Sequence, residues 1–102
     1  MKTYEVSLDA LGDPTRRSVF ELLRDGPRPV GELAAALPVS RPAVSQHLRV
    51  LKDADLVRER VAGTRRYYSI NADAVAELRA YFDEFWDRAL AAFKEQAEGS
   101  GS

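Results

Sequence analysis

One stretch of this chain groups side chains that could read a surface. In SRPAVSQHLRVL (residues 40–51), Val44, Leu48 and Leu51 recur at i, i+4 and i+7, the repeat of a helix with one buried face. The other side then carries Arg41, Ser45, Gln46 and Arg49. Arginine presents a planar fork of donors that fits the guanine edge or a phosphate, glutamine can pair with adenine, and a serine hydroxyl suits phosphate or either base type. A helix offering these groups together, with Pro42 in its first turn, is equipped to enter the major groove of duplex DNA. A second cluster follows at Arg60, Thr64, Arg65 and Arg66, placed to reach the flanking backbone or minor groove. Outward polar residues on a single helix are usually only a solvated face. Here helix spacing, a basic segment straight after it and a local excess of charge converge.

Other chemistries lack their parts. The 102 residues contain no cysteine and one histidine, His47, which excludes disulfides, thiol redox sensing and a multi-histidine metal site within one chain. No serine–histidine–acid set and no glycine-rich phosphate loop is present, so an enzyme is not expected, and neither is a cofactor or metal. His47 lies beside the buried face. A packed, hydrogen-bonded ring is the commoner outcome there, and a phosphate contact is the alternative. Arg16 and Arg17 fall in the first turn of a helix, where the dipole disfavours cations; phosphate contact, a partner carboxylate and a plain solvated face all remain open for them.

The net charge of −1 hides its distribution. Residues 1–70 hold 12 basic and 9 acidic residues, whereas residues 71–102 hold 3 and 7. Residues 40–70 alone carry 7 basic against 3 acidic, and local clustering matters more to a polyanion than the total. With 45% hydrophobic and 30% charged residues, no apolar run long enough to span a membrane and no signal-peptide pattern, the chain reads as one soluble, cytoplasmic domain.

Several elements must position these groups. Residues 1–11 are weakly helical, with Tyr4, Leu8 and Leu11 at helical spacing. Asp13-Pro14 reads as an N-cap followed by proline at the first helical position, opening a helix over 14–24 that buries Val19, Phe20, Leu22 and Leu23. The segment DGPRP (25–29) is a turn. A short helix over 30–37 stops at Pro38, and Ser40 caps the next, which runs to about Ala54. Small residues Ala34 to Ala36 would let these two helices cross closely. Asp55 stands where a left-handed C-cap glycine would be ideal. Residues 56–70 alternate as a β-hairpin turning near Ala62-Gly63-Thr64. This order is that of a winged helix-turn-helix, mainly α with a small β-hairpin.

The last helix, 72–96, is the second informative feature. Its stripe of Val75, Leu78, Tyr81, Phe82, Phe85, Trp86, Ala89, Leu90 and Phe93 is wider than so small a domain can cover. Two copies packed through these terminal helices, with Tyr4 and Leu8 of the N-terminal segment alongside, would bury it. Leu78 and Phe82 are expected to lie more inside the protomer, and Phe85, Trp86, Ala89 and Phe93 more between chains. Such a homodimer would set two reading helices roughly 34–36 Å apart, one DNA turn. The single domain is placed at 1–97, with 98–102 as a flexible tail whose GSGS resembles a cloning remnant.

Over residues 8–70 the chain resembles the ArsR-type winged-helix repressors of bacteria. The resemblance rests on DPTRR, the ELAxxL helix, S-x-x-x-V-S-Q-H-L-x-V-L and a hairpin ending RRYYSI, while FWDRALAAFKEQAE looks like the dimerising last helix of a subset that does not sense metals. The resemblance implies a homodimeric repressor on an inverted-repeat operator, with Ser45, Gln46 and Arg49 as readers and the arginine hairpin as wing. The family's metal and redox sensing is not implied, because its cysteine or histidine–carboxylate ligand sets cannot be built here. A small apolar ligand, a partner protein and no inducer at all remain open as the means of release. The competing class is a winged-helix protein-interaction module without DNA binding.

Overall fold

The protein is described by a computed structural model over residues 3–100, with side chains from Glu5 to Gly99. The elements are α1 (Thr3–Ala10), α2 (Pro14–Leu22), β1 (Arg28–Pro29), α3 (Val30–Ala35), α4 (Arg41–Asp53), β2 (Val57–Ala62), β3 (Arg65–Ile70) and α5 (Ala72–Ser100). Leu23, Leu33, Leu48, Leu51 and Leu56, with Val19, Val44 and Val57, are at most 2% exposed and form the centre on which α2, α3, α4 and the sheet converge. Phe20 and Leu22, expected in the core, are only partly buried against it.

The helix starts follow their capping chemistry. Asp13 takes the Arg16 N–H at 2.9 Å and Pro14 opens α2. Ser40 Oγ takes the Ala43 N–H at 3.3 Å, and a proline occupies the first turn of α4, where no N–H is needed. The helix ends are shorter than the apolar pattern suggests. Beyond Leu22 the chain tightens into i→i−3 bonds (Leu23 N–H to Phe20, Arg24 N–H to Glu21) ahead of Gly26-Pro27. Likewise α3 stops at Ala35, and Leu37 N–H returns to the Ala34 carbonyl just before Pro38. Of the three small residues expected at the α3–α4 crossing, only Ala34 packs against the core; Ala35 and Ala36 are exposed.

After α4 the chain makes a Schellman turn. Leu56 N–H reaches the Leu51 carbonyl and Asp55 N–H the Lys52 carbonyl, both at 2.9 Å, with Asp55 at φ 62° and the side chains of Leu51 and Leu56 fully buried. Asn71 secures this turn: its amide donates to the Asp55 carbonyl at 2.8 Å, and its Oδ1 accepts the Asp73 N–H at the start of α5. Because an L-residue is disfavoured in the left-handed region, Asp55→Gly should raise stability by up to about 1 kcal/mol and Asp55→Val should lower it by about 1–2 kcal/mol. Urea midpoints of the three proteins check the ordering.

The wing is β2–β3, paired antiparallel from Val57↔Ile70 to Ala62↔Arg65 around a two-residue loop. Gly63 leads that loop at φ +64°, the glycine-first pattern of a II′ turn. The sheet has a third strand that the sequence pattern did not suggest: Arg28 and Pro29 pair with Tyr68 and Tyr67, giving the order β1-β3-β2. Two residues carry no alternation, and the proline is tolerated because β1 is an edge.

The last helix continues through residues 98–100, past the expected tail boundary at 97. Extending an established helix adds one hydrogen bond per residue fixed, so even Gly99 can be carried. At about 43 Å for its 29 residues, α5 is the longest element of a protomer whose extents, α5 included, are 67 × 26 × 26 Å.

Candidate nucleic-acid interface

The two basic clusters of the sequence meet on one face. An open groove of about 950 Å³ is bounded by Arg41, Ser45, Arg49 and Lys52 of α4 and, opposite, by Glu59, Thr64, Arg65 and Arg66 of the wing; the β1–α3 junction and Tyr68 complete its lining. Val44, Leu48 and Leu51 hold α4 in the core, so its other side faces outward by default, with Arg41, Ser45 and Arg49 exposed. Pro42, Gln46 and Arg60 are also exposed but do not line the groove. The wing rests on α4 through Val57, which is buried. Val61, four pairs further out on the same strand, is 63% exposed, so the hairpin tip projects free of the core.

Two carboxylates line this basic groove, Glu32 on the α3 side and Glu59 among the cations, and neither was singled out from the sequence. Glu59 Oε2 accepts from Lys52 Nζ at 2.9 Å and Oε1 from Arg66 Nη1 at 2.8 Å, with its side chain 14% exposed. The Lys52 hydrogen bond is the leading cause that holds the Glu59 carboxyl below its ordinary 4.5; the charges of Lys52 and Arg66 add to it and burial opposes it. A depressed folded-state value means that the pair stabilises the protein above the unfolded-state value and that this contribution disappears as pH falls through the folded one. Thermal stability of the wild type should therefore fall below about pH 4.5, and Glu59→Gln should flatten that acid limb. The signal available in sequence was the period-two pattern, which places Glu59 on the same side of β2 as Val57 and Val61.

The remaining cationic candidates lie elsewhere. Arg16 is half-buried, and its Nη1 donates to the Ala10 carbonyl at 3.1 Å, capping the end of α1. This accounts for a cation in a first turn: it serves the C-terminus of the preceding helix. Arg17 is exposed. His47 is half-buried, and its charge helps depress Asp13, whose main cause of lowering is the Arg16 backbone hydrogen bond. The ring is partly enclosed, but its Nδ1 is buried without a hydrogen-bond partner, so the hydrogen bond expected of a packed histidine is not made at that atom. None of the three lines the groove.

Along α5 exposure climbs steadily, from Leu78 at 8% to Phe82 at 42%, Phe85 at 52%, Trp86 at 58%, Leu90 at 61% and Phe93 at 71%. Phe82, expected nearer the interior, already belongs to the uncovered stretch. Ala89 is exposed too, and Phe85 and Trp86 pack edge to face at 5.7 Å. Leu8 is half-buried where α1 packs along α5, and the Tyr4 side chain lies outside the described residues. Among the described residues no group of acidic or histidine side chains could hold a metal ion, and no helix is long and apolar enough to cross a membrane.

A helix-turn-helix whose second helix turns polar residues outward beside a basic hairpin defines the winged helix-turn-helix class of DNA-binding proteins. Residues 11–60 match the family described as helix-turn-helix domain. The chain is 51% identical to the HTH-type transcriptional regulator Rv2034 of Mycobacterium tuberculosis, over 99% of this chain and 97% of that protein. It superimposes on an ArsR-like transcriptional regulator from Rhodococcus sp. RHA1 with a TM-score of 0.77 at 29% identity, over 91% of both chains. It also matches the homodimeric winged helix-turn-helix DNA-binding domain Mb0332 of Mycobacterium bovis, with a TM-score of 0.68 and 33% identity over 86% of this chain and 82% of that one. The chain belongs to the ArsR-type family of winged helix-turn-helix transcriptional regulators.

Proposed function

We propose that this regulator represses transcription by occupying an inverted-repeat operator as a homodimer. The observation that carries the reading is the joining of Arg41, Ser45 and Arg49 of α4 to Thr64 and Arg65 of the wing across one groove. The face of α4 would meet base edges, and Gln46, exposed next to Ser45, lies within the same helical turn. Pro42 shapes the entry of that helix, while Arg60, Arg65 and Arg17 supply exposed cations toward the backbone. Arg16 is not among these contacts, because its guanidinium already serves the end of α1, and His47 is left out because it lies off the groove with its ring partly enclosed.

The uncovered aromatic run of α5 supports the dimer. Phe85, Trp86, Leu90 and Phe93 are each more than half exposed and share the outer half of one helix, as a patch that a second copy would cover. The homodimeric solution structure of the Mycobacterium bovis relative agrees with this reading. With no thiol and only one imidazole, metal and redox release have no ligand set here, which leaves a small apolar ligand lodged among these aromatics, a partner protein, or no inducer at all.

Genome-wide recovery of DNA bound to the protein tests the proposal. The expected result is a recurring inverted repeat near promoters, with half-site centres about one helical turn apart. Recovery of no common sequence would favour a protein-interaction role for the same fold.

A further inference from the structure

We infer that Glu59 is a positioning residue for DNA recognition: by holding Lys52 and Arg66 together it fixes the wing against α4 and withdraws both cations from indiscriminate phosphate binding. The inference rests on the DNA-binding reading above and deepens it.

A carboxylate is out of place on a surface meant for a polyanion. Glu59 lies in the groove itself and is mostly enclosed, yet Lys52 and Arg66 beside it remain 53% and 68% exposed. Each of its two oxygens takes one cation, and the cations come from different elements, the last turn of α4 and strand β3. The bridge therefore connects the helix that reads bases to the hairpin that reaches the backbone. Glu59 is itself anchored on β2, opposite Tyr68 in the register. Lys52 thus links α4 to the wing, while the Arg66 bond ties the two strands of the wing to each other, and both are in place before DNA arrives, which reduces the ordering that binding must impose.

The charge consequence follows directly. Lys and Arg free of partners raise affinity for any duplex alike, because phosphate contacts carry no sequence information. With Lys52 and Arg66 held by Glu59, the free cations facing the groove are Arg41, Arg49 and Arg65. Two of these three stand on the reading helix. Affinity is thereby weighted toward contacts that discriminate between bases.

The test compares wild type, Glu59→Gln, Glu59→Asp and Arg66→Gln as intact dimers on two probes: the duplex recovered from the genomic selection and a shuffled duplex of the same length and composition. Affinity is measured against salt. For Glu59→Gln the slope on the shuffled duplex should steepen by about 0.9 for each freed cation, hence by about one to two per subunit. Its preference for the recovered duplex should fall about tenfold or more. Glu59→Asp, which keeps the charge, should restore most of the preference. Arg66→Gln should leave the shuffled-duplex slope nearly unchanged, because that arginine is already engaged; this variant keeps the test valid even if Glu59→Gln folds poorly. A merely structural role would change stability and leave both slopes alone. An unchanged slope and preference in folded Glu59→Gln, or a slope reduced by Arg66→Gln as for any free phosphate contact, overturns the assignment while leaving DNA binding intact. A wild type that binds neither duplex removes the DNA-binding reading and this inference with it.

Discussion

Replacing Arg49 and Arg65 together by alanine should lower operator affinity by at least about a hundredfold at moderate salt, with the folded state unchanged. The size follows from the two roles. Arg49 stands on the exposed side of α4, where a bidentate guanine contact contributes about 1–3 kcal/mol of discrimination, and a dimer makes that contact twice. Arg65 flanks the hairpin loop at the Ala62↔Arg65 pair, in position for a backbone phosphate, and each lost phosphate contact lowers the salt slope by about 0.9. Both side chains are exposed, and neither is part of the core or of the Glu59 bridge, so stability should stay within about 0.5 kcal/mol of wild type. Titrations at several salt concentrations separate the roles. Arg49→Ala alone should relax base preference, whereas Arg65→Ala alone should weaken binding to all sequences alike. Unchanged affinity and slope in the double variant would mean that the groove does not face DNA.

The second large effect belongs to the interface between protomers. Trp86→Glu should convert the protein to monomers in sedimentation and reduce operator affinity by about 10²–10⁴-fold, the gain that linking two binding modules ordinarily supplies. Trp86 is 58% exposed in the protomer and packs edge to face on its neighbour Phe85, so a charge there leaves the core undisturbed while placing an unpaired carboxylate in the proposed interface. Phe93→Glu, further out at 71% exposure, should act in the same direction. A Trp86→Glu protein that remains dimeric would remove α5 as the interface.

Much of this architecture was legible because its signals are local. Asp13-Pro14 and Ser40 announce their helices through side-chain oxygens that must meet free N–H groups, and both caps form. The period-two run from Val57 gave the wing, and the left-handed Asp55 was anticipated from its place after α4. The exposed face of α4 followed by subtraction, once Val44, Leu48 and Leu51 were assigned inward.

The parts that escaped depend on pairings distant in the chain or on single side chains. Arg28 and Pro29 become a strand only because Tyr67 and Tyr68 arrive beside them, and nothing within two residues encodes that. Asn71 looks like loop punctuation, yet it is 3% exposed and joins the end of α4 to the start of α5 across sixteen positions. Arg16 appeared free because its acceptor is a backbone carbonyl, which sequence identity does not reveal. Glu59 was passed over for a related reason: it is one of three acids among seven bases over residues 40–70, and its meaning depends on which two cations the fold brings to it.

Guanine N7 methylation protection on the recovered operator tests the central claim most directly, because N7 is an atom of the major groove and α4 is the element proposed to occupy it. Two clusters of protected guanines, related by the symmetry of the site and about one helical turn apart, should appear with wild type, and both should vanish with Arg49→Ala. Full operator occupancy with every guanine still open to methylation would contradict the account.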